Sequence, residues 1–558
     1  MQKNERTYPT FFNKIIFASF NQLQISLILL CCSLGYIFLA SIKLNATALH
    51  NDEMLFVNAA IGEIEPHFFV FKKIGNIPLL LMDYIGALKA WLYFPIFKLF
   101  GVNVWSLRLP MIFLTATGLF MLGQIFVKKL PFYIALSIVV LLCCDPFLIF
   151  HTRIDTGPNA IELFLKIVAL YFFYRFLDTP NLLFIALIAL ILFLGVFNKL
   201  NFIWFVNSFA LGLLVCYHKN MWDLWQKSSK NYRFKFISLL FSAYLLPFLY
   251  FAFISYSFGV LNQTVQEKES WANAFVRVGE LLNEAHSGGR VQDFNYFLGF
   301  AGWTDHSWID KIMVGLAVLM GSAVLIKQPY AAHTKHLAFI GLLLVSLLGQ
   351  MLLTDRARYS WHIFMIYPFL TITVVLATSL FFKNVVGRFW LYGFVFAALL
   401  GLNLGRDEIY IEAYFKQKPQ YEKMKAFNSL LNYTTNSPHK FVLIDGTCTS
   451  QLIGLSQSKN KYFDQSYHFG VTHKFMTLYT ADINGFEQKF LTKPDEYYYI
   501  FSNQYGASPS VAPNQILRYH DFICYNFFDI LKQTHHKWQV VETFGNPESG
   551  FTIIKLVG

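Results

Sequence analysis

Charge is what this sequence has little of. Acidic and basic residues together fill 14% of 558 positions, where water-soluble domains carry roughly a quarter. A fold that faces water on every side is therefore excluded. Cysteine is also sparse, with seven in the chain. Cys31, Cys32, Cys143, Cys144 and Cys216 lie in apolar runs, where a free thiol acts as a small hydrophobe. None of the seven has zinc-site spacing. Cys448 and Cys524 fall in a polar tail and can pair only if that tail lies outside the cytoplasm. No small-residue cleavage site follows the basic start MQKNERTYPTFFNK, so the first apolar run reads as an uncleaved span.

Apolar and aromatic residues are present in excess. They reach 55% and 18% of the chain, with 61 phenylalanines, and the mean hydropathy is +0.44. Helix rise sets the span length at about 20 residues for about 30 Å of hydrocarbon. Eleven runs approach it: 23–42, 107–127, 131–150, 160–177, 181–198, 200–217, 236–258, 311–327, 337–353, 361–382 and 388–404. The segment 85–100 is apolar but short, and Lys89, Pro95 and Lys98 interrupt it. Read as an amphipathic helix lying in the interface, it leaves the basic clusters 128–129, 219–235 and 327–335 on the N-terminal side of the membrane. Cytoplasmic loops carry such an excess. The net charge of +12 is assigned to these loops rather than to nucleic-acid binding.

The resulting fold class is an α-helical polytopic membrane protein of about 11 transmembrane helices plus interfacial helices, with a small C-terminal α/β soluble domain. The domains are 1–404 (transmembrane) and 405–558 (extracytoplasmic). Within the tail, FVLIDG (441–446) and YYYIFS (497–502) read as buried strands, and 538–558 as a hairpin around Gly545, Asn546 and Pro547.

This threading gathers the unusual polar residues on the outer side. Asp52 and Glu53 are adjacent acids in the first outer loop. They suit the start of a surface helix, or a general base at the mouth of a membrane cavity; the residues alone leave both readings open. Arg153 and Asp155 open a later span, where Asp155 suits a helix cap and Arg153 can snorkel. Ionisable groups at this depth are functional candidates as well. Lys199, Arg356 and Arg358 are outer cations that suit lipid headgroups or, equally, a phosphate. His362 lies just beyond them, and the loop 259–310, with His286 and Arg290 in HSGGR, is long and glycine-containing enough for a flap. A structureless connector fits that loop too.

The stretch PLLLMDYIGALKAWLYFPIFKLFGVNVWSLRLP (78–110) resembles one in the GT-C membrane glycosyltransferases, including protein O-mannosyltransferases and lipid A aminoarabinose transferases. Asp52-Glu53 matches the acidic pair of their first outer loop. Arg153-Ile154-Asp155, Lys199 and Arg358-Tyr359…Pro368 resemble their later motifs in the same order, and the likeness covers roughly 25–400. It departs at Asp83-Tyr84 and in keeping only Pro78 before the surface helix.

The resemblance implies inverting transfer of a sugar from a polyprenyl-phosphate-linked donor to a glycolipid, polysaccharide or protein acceptor outside the cytoplasm. The bacterial inner membrane is the expected location. Asp52, Glu53 and Asp155 would be catalytic. Arg153, Lys199, Arg356 and Arg358 would bind the donor phosphate, and His286, Arg290 and His362 would belong to the substrate loop. Some relatives bind a divalent metal and others do not, so the resemblance leaves a metal open; if one is present, Asp52 and Asp155 would be its ligands. A non-enzymatic flippase for lipid-linked sugars is the rival reading. It requires polar residues along a whole transmembrane path, whereas most of the apolar runs are nearly uncharged between their ends.

Overall fold

The structure, a computed structural model, describes residues 21–45, 51–61, 72–257 except 83 and 156, 307–327, 332–354, 360–382, 388–416 and 418–444. In the tail it describes 462–464, 490–491, 496–502, 527–528, 531–532, 534–545 and 550–557, with a few single positions besides. Each of the eleven apolar runs coincides with helix. The first is α1 (Gln22–Ser41), started by Asn21, whose side chain accepts from Gln24 N in a capping box. The helix α2 (Asn51–Ile61) comes after it, read from the sequence as a surface helix but buried from Glu53 to Ala60. Next are β1 (Lys72–Ile74), β2 (Ile77–Met82) and β3 (Ile85–Gly86), a three-stranded antiparallel sheet. The interfacial helix α3 spans Leu88–Phe100 and ends at Gly101, whose φ of +68° suits a residue without a Cβ.

The long helix α4 (Val104–Lys129) begins at Asn103, which accepts from Trp105 N and Ser106 N. The run 131–150 is two helices, α5 (Phe132–Cys143) and α6 (Pro146–Arg153), bent by 46°. Pro146 cannot donate to the preceding turn, and Asp145 caps the new helix at Leu148 N. Then come α7 (Asn159–Asp178), α8 (Leu182–Asn198), α9 (Ile203–Cys216), α10 (His218–Lys227) and α11 (Lys230–Ser257). A 3-10 turn, Leu200–Phe202, separates α8 from α9. Beyond the loop read as a flap lie α12 (Ser307–Lys327), α13 (Ala332–Leu353), a 3-10 helix (Ser360–Met365), α14 (Phe369–Phe382) and α15 (Arg388–Lys416). That last helix runs on past residue 405.

Among the described residues, four helices reach spanning length and hydropathy on their own, in α1, α4, α11 and His333–Leu353, and two bent pairs do so together. Apolar side chains face outward across the helical part: Leu34 and Phe38 of α1, Leu214 of α9, Phe241 and Phe253 of α11, Ile326 of α12 and Phe394 of α15 are exposed, as a hydrocarbon solvent requires. Between helices the contacts are close or polar. Gln350 on α13 donates to Trp204 O at 2.9 Å and accepts from Asn207 at 2.9 Å, both on α9. Small and amide residues serve this purpose where burial of apolar surface offers little driving force.

The sequence-based reading treats α3 as an amphipathic helix lying in the interface, and the structure adds which side chains it buries. Lys89 is buried, while Trp91, Leu92, Phe94, Leu99 and Phe100 are exposed. The helix turns Lys89 inward with Ala90, Tyr93 and Phe97 and exposes large apolar side chains together with Lys98. This polarity suits a lipid-facing interfacial helix and delivers a cation to the protein interior.

The small sheet was not anticipated, and it positions the junction between α8 and α9. Ile85 bridges Lys199, and Leu200 N donates to Tyr84 O at 3.0 Å. A Cβ on Gly86 would stand 2.0 Å from the Phe197 carbonyl oxygen. Gly86→Ala must therefore push the α8 terminus and Lys199 away. We expect a loss of about 1–3 kcal/mol, read as a lower Tm; an unchanged Tm would show that the junction yields freely.

The C-terminal unit is an α/β layer. Its strands β4 (Lys440–Leu443), β5 (Tyr462–Asp464), β6 (Tyr497–Ser502), β7 (Lys537–Phe544) and β8 (Phe551–Val557) are ordered β5-β4-β6-β8-β7. Pairing is parallel about β4 and antiparallel about β8. The anticipated hairpin is β7–β8, turned at Gly545 with φ +79°. Phe427 and Leu430 of α16 (Lys418–Asn436) pack with Phe441 and Ile553, while Phe527 and Leu531 pack with Tyr499 and Leu556. Cys448, Cys524 and Asp445 lie outside the described residues.

Candidate functional site

Five elements bring charge to one buried region: α2, α3, the start of α4, the α6–α7 junction and the α8–α9 break. Arg108, in the second turn of α4, is 1% exposed and forks onto Glu53 of α2. Its Nε donates to Oε1 at 2.9 Å and its Nη2 to Oε2 at 2.8 Å. The remaining Nη1 donates to Leu44 O at 2.7 Å. Arg153 donates to the neighbouring carbonyl, Lys43 O, at 2.9 Å. Lys43 has φ +51°, a left-handed conformation that costs a non-glycine residue about 1–2 kcal/mol. Two guanidinium groups thus hold the strained chain leaving α1, just upstream of Asp52. Only the planar fork fits both Glu53 oxygens. Arg108→Lys is expected to lower stability by about 1–3 kcal/mol, measured by thermal unfolding of the purified protein; no loss would mean that a point charge suffices.

Asp155 is 3% exposed. Its Oδ1 accepts from the first amides of α7, Asn159 N at 3.2 Å and Ala160 N at 3.3 Å. The positive end of the helix dipole favours a carboxylate there. Its Oδ2 accepts from Lys89 at 2.9 Å. Burial pushes the Asp155 carboxyl above its ordinary range, and the Lys89 ammonium pulls it back. Lys89 also donates to Asp155 O at 2.7 Å and Gly157 O at 2.6 Å, and lies 4.4 Å from the centre of the Phe56 ring. All three of its protons have acceptors.

Lys199 donates to Asn159 Oδ1 at 3.0 Å, and Asn198 donates to Pro158 O at 3.2 Å. The α8–α9 break is thereby fastened to the start of α7. One turn along α7, Glu162 and then Lys166 are fully buried. Lys166 donates to the carbonyls of Phe364, Met365 (3.0 Å) and Tyr367 (2.8 Å). The Tyr367 hydroxyl donates to Asp145 at 3.0 Å.

Among the sequence-based candidates, Glu53, Arg153, Asp155 and Lys199 share this buried network. The Asp52 backbone adjoins Glu53 in the first turn of α2; its side chain lies outside the described residues. His362, on the 3-10 helix, sits edge-on to Trp204 at 6.2 Å between ring centres. Arg356, Arg358, His286 and Arg290 lie outside the described residues. Sequence reading missed Lys89, Arg108, Glu162 and Lys166 as members. The available signal was their isolation within apolar runs, since a lone charge there needs a buried partner.

A divalent metal does not fit Asp155 in this arrangement. One oxygen is committed to an ammonium that would repel the ion, and the other to backbone amides. The oxygens of Glu53 are likewise held by Arg108. Among the described residues no group of three His, Cys, Asp or Glu side chains can hold a metal ion.

No family model and no curated protein sequence matches this chain. Solved structures do. The archaeal oligosaccharyltransferase AglB from Archaeoglobus fulgidus, solved with an inhibitory peptide and a dolichol-phosphate, superposes with a TM-score of 0.52 at 10% identity. The match covers 96% of this chain and 80% of AglB. ArnT from Cupriavidus metallidurans, in the apo state, matches at 12% identity with a TM-score of 0.44, over 95% of this chain and 97% of ArnT. Both belong to the GT-C superfamily. The AglB likeness shows the fold alone, a GT-C architecture with a small C-terminal sheet region; the long apolar helices of this chain are what mark it as an integral membrane protein.

Proposed function

We propose that this protein is a glycosyltransferase that moves a sugar from a polyprenyl-phosphate-linked donor to an acceptor outside the cytoplasm, with inversion. A fold hosts many functions, so the reading rests on the site. The observation that carries it is the convergence of Glu53–Arg108 and Arg153 at the chain between α1 and α2 with Asp155–Lys89 and Lys199 at the start of α7. Burying two ion pairs in one region stabilises the fold little against desolvation, and such expense is typical of functional constellations in membranes. The AglB structure holds a dolichol-phosphate, which supports a lipid-linked donor.

In this mechanism Asp52 takes the proton of the acceptor hydroxyl as the new bond forms to C1 of the sugar. The bond from C1 to the phosphate oxygen breaks on the opposite face, and polyprenyl phosphate leaves with its charge offset by nearby cations. Lys199 and Arg153 are the described candidates for that contact, with Arg356 and Arg358 added from sequence. Asp155, held by Lys89, is the second acid of the site. Glu53 acts through Arg108 to place α2, and with it Asp52. His362 and the segment containing His286 and Arg290 are assigned to the substrate side. The acceptor is a glycolipid, polysaccharide or protein. The active face and tail domain are assigned to the extracytoplasmic side of a bacterial inner membrane, in keeping with the distribution of Lys and Arg.

The experiment supplies purified protein in lipid with labelled polyprenyl-phosphate hexoses and pentoses and a cell-envelope extract as acceptor. Release of polyprenyl phosphate together with a product of inverted configuration is expected. Movement of the labelled lipid across a vesicle without that release would instead establish a flippase.

A further inference from the structure

The proposed transfer reaction gives Lys166 no task. It is fully buried on α7, about two turns beyond Asn159, in a helix that otherwise reads as a hydrophobic span. A lysine has three protons to give. Three carbonyl oxygens take them: those of Phe364, of Met365 at 3.0 Å and of Tyr367 at 2.8 Å. These carbonyls lie where the 3-10 helix Ser360–Met365 ends and intrahelical partners run out. The two carbonyls interleaved with them are held by α14: Ile366 O accepts from Leu370 N and Pro368 O from Ile372 N, each at 3.2 Å. Five consecutive carbonyls between the two helices are thus satisfied, three of them by one side chain.

The side chains of the same stretch are fixed as well. Phe364, Met365, Ile366 and Tyr367 are fully buried. The rings of Phe364 and Tyr367 each lie 4.9 Å from that of Phe147 on α6. The Tyr367 hydroxyl donates at 3.0 Å to Asp145, the cap of α6. A buried ammonium is destabilising unless its protons are bonded, so a shift of this turn would leave both Lys166 and the carbonyls unsatisfied. The three bonds therefore resist displacement more than apolar packing would.

Helix α7 acts as a common rail. Its first amides hold Asp155, Asn159 holds Lys199, and Lys166 holds the turn that follows His362. Arg358 precedes Ser360 by two residues, and two residues of chain reach at most about 7 Å. Fixing the 3-10 helix thus limits where Arg358 can reach.

We propose that Lys166 is a positioning residue: it locks the 3-10 helix to α7, in register with Asp155 and Lys199, and so sets where Arg358 and His362 meet the donor. The part concerning the donor rests on the proposed transfer reaction. The lock itself does not.

Amide hydrogen exchange of the full chain in lipid nanodiscs tests the lock without substrate. Lys166→Met keeps the reach of the side chain and removes its three donors. Exchange over 360–367 is expected to rise about tenfold, with 155–165 near the wild-type rate. Unaltered exchange over 360–367 overturns the proposal. A uniform rise across α7 overturns it too, since Lys166 would then serve general stability. Where Lys166→Met does not accumulate, Lys166→Gln keeps two donors and is expected to show a smaller rise confined to the same segment.

Transfer assays with polyprenyl-phosphate hexoses test the consequence. Lys166→Met is expected to lower kcat/KM about ten- to hundredfold, through a higher KM for the donor. Combined with Arg358→Ala it should add little, because both changes act on one contact. Full additivity, or a loss confined to kcat, overturns the positioning role. Wild-type protein that uses no such donor, or an unmoved KM in Arg358→Ala, overturns the reading of the donor site instead; the exchange result still decides the lock.

Discussion

Asp155→Asn is expected to destabilise the protein by about 3–5 kcal/mol, because it leaves the Lys89 ammonium buried beside no counter-charge. Lys89 is 1% exposed and cannot turn toward water without unpacking α3. The loss should appear as a lower thermal midpoint in detergent or lipid, together with loss of sugar transfer. The double variant Lys89→Met/Asp155→Leu separates the two effects. Removing both charges leaves apolar groups of similar size, which often restores stability, whereas transfer should remain absent. A double variant that is as unstable as the single one would show that the amide cap on α7, and not the ion pair, dominates. Recovery of transfer in the double variant would remove Asp155 from the chemistry.

Asp52→Asn is expected to cut transfer by about 10²–10⁴-fold, the usual contribution of a positioned general base, with the thermal midpoint unchanged. Its neighbour should behave in the opposite way. Glu53→Gln withdraws the counter-charge from Arg108 and is expected to cost about 3–5 kcal/mol of stability. Any loss of rate there should track the loss of folded protein. Two acids adjacent in sequence would then separate into a kinetic residue and a structural one, distinguished by measuring midpoint and rate on the same preparations. Full activity in Asp52→Asn would remove it as the base. Unaltered stability in Glu53→Gln would contradict the fork onto Arg108.

Much of the helical part was legible in the sequence, because hydrocarbon imposes a length and a composition on every segment that crosses it. All eleven apolar runs lie on helices, and the strands expected at 441–446, 497–502 and 538–558 are found as β4, β6 and the β7–β8 hairpin. The three-stranded sheet at 72–86 was not legible. Its strands have two to six residues and carry no period long enough to read. The bend at Asp145 was equally hidden, since an Asp-Pro pair inside an apolar run keeps its hydropathy.

The site divides in the same way. Glu53, Arg153, Asp155 and Lys199 could be singled out one at a time, as charges where few are tolerated. Lys89 was visible only as an interruption in an apolar helix, and Arg108 only as part of a short motif. Their partners lie 66 and 55 positions away, a separation that no local pattern encodes.

What the sequence by itself determined is that this chain is a many-helix membrane protein with an α/β tail, because scarce charge and long apolar runs leave no other solvent for most of its surface. What only the tertiary structure decided is which charge answers which. In a low-dielectric interior an unpaired charge is too costly to keep, so packing determines the partners: α3 turns Lys89 inward to Asp155, α4 carries Arg108 to Glu53, and the small sheet fastens Lys199 beside Asn159.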